Sequence, residues 1–295
     1  VVLLLEVGHV PLADANHHVV VSTDMARLDQ QALLQGASRH AHRIELLNLA
    51  QDPLGQLHRH LGLFRQLLDT RSWVALDVDT DGRVLAGHDD LGSLQLVEID
   101  RDGTTTPLTR LPSKCRGRYV RGRRQVVVEH DQGGDENFHV FSVGLDGGDA
   151  VDLTPFSGVL ASPIALEDER PDEMLVALNE RDRRYFDVHR LSFLTGALQL
   201  DTENPGDVSE WAADRELRVR AAVRARADGG YSVIVRDTPQ DAWRPLCELA
   251  VEDGSPTIGG FTPDGGALYV THSGAANAKR LLRYDLATGS ATEIA

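Results

Sequence analysis

The side chains best suited to chemistry in this sequence cluster in two short charged strings. Asp135-Glu136-Asn137 follows the glycine pair Gly133-Gly134, and Arg181-Asp182-Arg183-Arg184 is the second string. Carboxylates, a carboxamide and guanidinium groups make charge-assisted hydrogen bonds, which suits both strings to holding a polar ligand. A plainer reading stands beside this one. Asp and Asn in a turn bond their own backbone and thereby organise it. Arg181 or Arg183 would then pair with the Asp135/Glu136 turn and bridge neighbouring structural repeats. Such a pair matters only where it is partly buried, because exposed ion pairs are worth less than ~1 kcal/mol. Both readings stay open, and the plainer one carries more weight.

Covalent catalysis has no comparable foothold. A serine nucleophile on a strand-to-helix turn needs G-x-S-x-G. That string is absent. Gly36-Ala37-Ser38-Arg39 comes nearest, with His40 where the second glycine belongs. No stretch of alternating strands and helices offers a parallel sheet for a nucleophile, and a triad needs such a frame. We assign no catalytic residue. His40/His42 and His58/His60 place imidazoles two residues apart. That spacing shares a face only in a strand, and no acidic residue stands at a convincing ligand spacing. Glu136, Asn137, Asn179 and Asp214 would supply oxygen and nitrogen ligands to a metal-dependent lactonase-type channel, but nothing in their spacing compels it. We expect neither metal nor cofactor. His139, within an apolar run, reads as a structural histidine, and Trp211 and Trp243 read as core. Cys115 and Cys247 form no CxxC pair and read as reduced thiols.

The elements that position these residues show a clear period. Beyond Trp73 the chain alternates short apolar strands with turns. Strands are expected at Trp73–Val78, Val84–Ala86, Leu94–Ile99, Pro107–Thr109, Val126–Val128, Phe138–Val143 and Val151–Leu153. Asp102-Gly103, Asp146-Gly147, Thr195-Gly196, Gln240-Asp241 and Thr288-Gly289 mark the same point of each unit. Their spacing of roughly 40–50 residues, with four short strands per unit, is the signature of propeller blades. We expect an all-β propeller with blades near 72–112, 115–157, 160–203, 207–253 and 256–295, incomplete as a ring and cut from a larger propeller. Residues 1–70 read differently, as an atypical segment that is either partly helical, with pieces at 24–35, 43–50 and 54–68, or not a natively folded part of the chain.

Composition narrows the partners. The 295 residues carry a net charge of -15, which disfavours nucleic-acid backbones and anionic membrane surfaces. No run approaches the ~18 apolar residues of a membrane-spanning helix. The apolar start Val1–Leu5 is too short for a signal peptide and lacks a basic flank. A cytoplasmic location is expected.

Several strings together suggest a family. They are G-G-D-E-N-F-H-V-F-S-V at 133–143, D-L-T-P-F at 152–156, N-E-R-D-R-R-Y-F-D-V-H-R at 179–190 and W-A-A-D-R-E-L-R-V-R at 211–220. G-F-T-P-D-G-G-A-L-Y-V at 260–270 and Y-D-L-A-T-G at 284–289 are more general to propellers. Over about residues 72–295 the sequence resembles the N-terminal β-propeller of the prolyl oligopeptidase family of serine peptidases, which includes dipeptidyl- and acylaminoacyl-peptidase-like enzymes. The resemblance implies an α/β-hydrolase domain C-terminal to this chain. It also implies peptide substrates and a propeller that gates access and positions them. Asp135, Glu136 and Asn137 would then hold a peptide's amino end, and Arg181 or Arg183 a carbonyl or carboxylate. This chain alone is expected to be inactive. A stand-alone binding propeller, similar to those of the Tol system, is the alternative beside the lactonase type.

Overall fold

The computed structural model describes residues 19–21, 73–89, 92–274 and 276–295. The helical pieces expected at 24–35, 43–50 and 54–68, and both histidine pairs, lie outside these residues. The chain divides into two units, Val1–Arg110 and Leu111–Ala295. The first carries one sheet: β1 (Val19–Val21), β2 (Trp73–Val78), β3 (Val84–His88), β4 (Gln95–Ile99) and β5 (Thr105–Pro107). Strands β2 to β5 form an antiparallel meander, and β1 pairs parallel to β2 as a fifth strand. The expected strand at 107–109 ends earlier, because Leu108 and Thr109 turn back to bond the Leu96 carbonyl.

The second unit carries four blades. They are β6 (Cys115–Val120), β7 (Gln125–His130), β8 (His139–Gly144) and β9 (Val151–Asp152); then β10 (Ala161–Ala165), β11 (Glu173–Asp182), β12 (Tyr185–Ser192) and β13 (Leu198–Thr202). There follow β14 (Val208–Ala213), β15 (Val219–Ala225), β16 (Tyr231–Val235) and β17 (Arg244–Leu249). The last blade is β18 (Thr257–Phe261), β19 (Ala267–His272), β20 (Arg280–Asp285) and β21 (Ala291–Glu293). Each is a four-stranded antiparallel sheet whose strands follow in chain order. The fold is a β-propeller, as the period indicated. All five sequence marks fall in the hairpin between third and fourth strands. Gly103, Gly147, Gly196 and Gly289 there take φ of 84°, 88°, 70° and 73°, a region that side chains with a Cβ disfavour.

Blades of the second unit bury their faces against one another. On β11, Met174, Val176 and Leu178 pack with Val120, Val127 and Val140 of the preceding blade. Leu175, on the opposite face, packs with Trp211, Val219 and Ile234 of the following one. The period-two alternation of a strand thus gives one strand two cores. Val233, Val235, Leu268, Val270 and Leu282 repeat the arrangement between the last two blades. Arginines complete the joints. Arg190 donates to the Leu217 carbonyl at 2.7 Å, Arg220 to that of Gly265 at 3.2 Å and Arg244 to that of Leu286 at 2.8 Å. Each bond crosses from one blade to the next, and the rigid guanidinium fork suits it to carbonyls left open at turns.

Candidate functional site

A meander places its second-to-third-strand loop and its link to the next blade at the same end. Asp135–Asn137, in the β7–β8 loop, and Arg183–Arg184, in the β11–β12 turn, therefore stand at one end of neighbouring blades. The first loop is built around Asp131, which is 3% exposed. The Ser113 hydroxyl donates to its carboxylate, and the Glu136 N–H reaches its other oxygen at 3.3 Å. The Ser113 bond is the main reason the Asp131 carboxyl lies below the ordinary range. His130 Nδ1 lies 3.0 Å from the same hydroxyl. Serine, histidine and aspartate thus meet, but in the wrong order for a triad. In a triad the imidazole stands between hydroxyl and carboxylate and takes the hydroxyl proton. Here that proton is already committed to Asp131.

Asp135 and Asn137 are largely engaged with each other. The Asn137 backbone N–H bonds Asp135 Oδ1 at 3.1 Å, and its amide bonds Oδ2 at 3.1 Å. Glu136 sits at φ 60° and is exposed, as is Asp135, but unlike Asp135 its carboxylate accepts no hydrogen bond among the described residues. A left-handed backbone on a residue with a Cβ carries strain.

Arg181 and Arg183 do not pair with Asp135 or Glu136. Arg181 forms a two-pronged bond to Asp187, at 2.7 and 2.9 Å, and reaches the Asn204 carbonyl at 2.9 Å. Asp187 is 2% exposed and also accepts the Asn204 N–H. Burial raises its carboxyl, but the bonds from Arg181 and Asn204 outweigh burial and leave it below the ordinary range. Arg183 donates to the carbonyls of Asn179 and Ser157. Arg181 and Arg183 thus bond carbonyls in the links that flank their own blade, at Asn204 and Ser157. Arg184 grips Asp182 instead, and that bond, with the Arg184 N–H, lowers the Asp182 carboxyl to about 2.

The remaining candidates are structural. His139 is buried, with Nδ1 2.7 Å from Asp152 Oδ2. The Trp211 indole N–H bonds the Phe186 carbonyl at 2.9 Å, and Arg236 lies over the Trp243 ring at 4.4 Å. Asn179 accepts the Leu160 N–H and donates to the Arg183 carbonyl. Asp214 is enclosed by Arg218 and Arg220, so neither it nor Asn179 stands ready as a metal ligand. Among the described residues no group of three or more His, Cys, Asp or Glu is arranged to hold a metal. Cys115 is buried and Cys247 partly buried. No helix among the described residues is long and apolar enough to cross a membrane.

Sequence reasoning missed a cavity of about 630 Å³ along the first strands of the blades. Arg118 of β6, Ile164 of β10, Glu210 and Trp211 of β14, and Gly260 of β18 all line it. The first strand of each blade in the second unit is a sheet edge, so these positions come from four distant stretches of chain. Glu210 Oε1 accepts the Ile258 N–H at 2.9 Å, tying β14 to β18. Burial raises the Glu210 carboxyl above its ordinary value, against smaller opposing effects of that N–H and of Lys279. Glu129 of β7, next to this wall, is raised by burial too, with Arg116 and Arg118 partly offsetting it.

Glu129 gives a signed prediction. An acid whose folded-state pKa is raised holds its proton to higher pH in the folded chain than in the unfolded one. Stability then falls as pH rises through the interval above the ordinary glutamate value, and the penalty is complete beyond the folded-state value. Glu129→Gln is expected to raise the urea midpoint at pH 8 and to leave it nearly unchanged at pH 4. Paired denaturation curves at the two pH values check this.

No family model matches the chain. A stretch of 163 residues, 55% of the chain, is 35% identical to dipeptidyl aminopeptidase BIII of Pseudoxanthomonas mexicana and covers 24% of that protein. The chain thus spans about a quarter of this relative's length. Among solved structures it is similar to prolyl oligopeptidase B of Galerina marginata, with a TM-score of 0.54 and 11% identity, over 76% of this chain and 33% of that one. It is also similar to a TolB from Agrobacterium tumefaciens, with a TM-score of 0.51 and 12% identity, over 75% and 79%. At these identities the structural likenesses establish the propeller fold alone. With the sequence match, the chain resembles the propellers of prolyl-oligopeptidase-family peptidases.

Proposed function

We propose that this chain is the propeller portion of a prolyl-oligopeptidase-like serine peptidase. It limits access to an α/β-hydrolase domain encoded C-terminal to it and sets the position of peptide substrates. The observation that carries this reading is the 35% identity over 163 residues to a dipeptidyl aminopeptidase. That identity is far above what the fold alone requires, given likenesses of 11–12% among propellers of this shape. In this reading the chain contributes no nucleophile. The acidic balance sets nucleic acid and membranes aside as partners. The two free thiols are in keeping with the cytoplasm.

An enzyme acting at amino ends gains register by holding the terminal ammonium. Glu136 is the natural group for this, because its carboxylate is exposed while Asp135 is bonded to Asn137. The Arg181–Asp187 pair serves the frame of the same end rather than the substrate. The test uses the complete gene product and a chromogenic dipeptide substrate, with a free or an acetylated amino end. Glu136→Gln is expected to raise KM for the free substrate about tenfold, the scale of one charged contact near ~1.4 kcal/mol. kcat and the acetylated substrate should change little. An equal effect on both substrates, or none on either, would remove Glu136 from this role.

A further inference from the structure

The cavity along the first strands has a cation at one side and a carboxylate at the other, and a second carboxylate, Glu167, also lines it. Arg118 comes from β6, Glu210 comes from β14, and β10 stands between them with Pro163 and Ile164 in the cavity wall. Arg118 is exposed and forms no ion pair within 4 Å among the described residues, though its charge acts on the carboxyls of Glu129 and Glu167, and Arg116 lies two residues away on the same face of β6. Glu210 uses one oxygen on the Ile258 N–H. Its second oxygen has no hydrogen-bond partner among the described residues. A half-buried carboxylate with one open oxygen gains most from an ammonium donor, because a charge-assisted bond replaces lost hydration. Between the charged ends the wall mixes apolar Pro163 and Ile164, and the edge of the largely buried Trp211, with the polar Ser162 and Ser209. Opposite them Gly260 adds no side chain, and a Cβ there would meet nothing within 4 Å. The volume of about 630 Å³ falls within the ~300–1,000 Å³ of small-molecule sites.

We propose that this cavity binds a free short peptide, its ammonium on Glu210, its carboxylate on Arg118 and its side chains against the wall of β10 and Trp211. This goes beyond the positioning of a substrate's end at Glu136 and rests on the reading of the chain as a peptide-handling propeller. The occupant is marked by having both ends ionised. A longer substrate threading the propeller has at most one end in the cavity. A short cleavage product has both. The site therefore favours the product class of a peptidase that releases short peptides, and occupancy would compete with entry of the next chain.

Isothermal calorimetry on the 295-residue chain tests this, with tetra-alanine, its N-acetyl form and its C-terminal amide as probes. Glu210→Gln keeps an acceptor for the Ile258 N–H, and Arg118→Gln alters an exposed side chain, so both variants are expected to fold; circular dichroism verifies it. The free peptide is expected to bind at least tenfold more tightly than either blocked form. Glu210→Gln should weaken the free peptide and the amide tenfold and leave the N-acetyl peptide unchanged. Arg118→Gln should weaken the free and N-acetyl peptides and leave the amide unchanged. Equal affinity for all three peptides, loss without this end selectivity, or no heat at about 1 mM peptide would overturn the proposal. If end-selective binding is absent while the complete gene product hydrolyses peptides, this site fails and the peptidase reading stands. If binding holds and no hydrolysis is found, the peptidase reading fails instead.

Discussion

Asp214→Ala should lower the stability of the second unit by about 3–5 kcal/mol, the cost of leaving a buried charge without its partner. Asp214 is 4% exposed in the β14–β15 turn. Its Oδ2 lies 2.7 Å from Arg218 and 3.3 Å from Arg220, and its Oδ1 accepts the N–H groups of Glu216 and Arg218. Burial raises this carboxyl, but the Arg218 bonds outweigh burial and hold it below the ordinary range. Removing it leaves Arg220, itself 7% exposed, with no anionic partner, facing the carbonyls of Arg236 and Gly265 and the ring of Phe261. The second of these bonds joins the last two blades, so the loss should spread across that joint. Asp214→Asn keeps the turn bonds and should cost less. Urea midpoints of the two variants check the order. A loss below about 1 kcal/mol for the alanine variant, the range of exposed pairs, would show that the ion cluster is solvated.

The second large effect is expected in the joint between the first two blades of this unit. Met174→Ala should cost about 2–5 kcal/mol, from lost burial and from the cavity left behind. Met174 is fully buried among Val120, Val127, Val140 and Leu191. Its neighbour Leu175 is equally buried but faces the opposite joint, against Trp211 and Val219. Leu175→Ala should therefore cost a similar amount and loosen a different joint. Native-state hydrogen exchange separates the two: Met174→Ala should speed exchange in β7 and β8, and Leu175→Ala in β15 and β16. Stability in stacked repeats is a sum of unit and nearest-neighbour contributions, so identical exchange patterns in both variants would contradict it.

These joints show what the sequence could and could not disclose. The period was readable because its marks are backbone requirements. The hairpins at Gly103, Gly147, Gly196 and Gly289 need positive φ, and glycine is its visible trace. The apolar runs at Val126–Val128 and Val140–Val143 were readable for a similar reason, since a strand buried on both faces is apolar nearly throughout. Partners across blades were not readable. Arg181 lies near Asp187 in sequence, yet a reading by repeats assigned it to Asp135 or Glu136 in the preceding blade. The hairpin itself brings Arg181 and Asp187 together, and the bulge between Leu178 and Asp182 re-aims that end of β11. The sequence pointed to His139 as a structural histidine, but its partner Asp152 becomes evident only when β9 is laid beside β8. The cavity had the least signal. Arg118, Ile164, Glu210 and Gly260 belong to four blades, and each alone is an ordinary residue of an edge strand.

The central claim is that the chain serves a serine hydrolase domain and is not itself the catalyst. Labelling with an active-site-directed fluorophosphonate tests this most directly, applied side by side to the 295-residue chain and to the complete product of its gene. The account predicts no label on the chain and one labelled serine, C-terminal to Ala295, in the complete product. A labelled serine within these 295 residues, or a complete product that takes up no label, would contradict it.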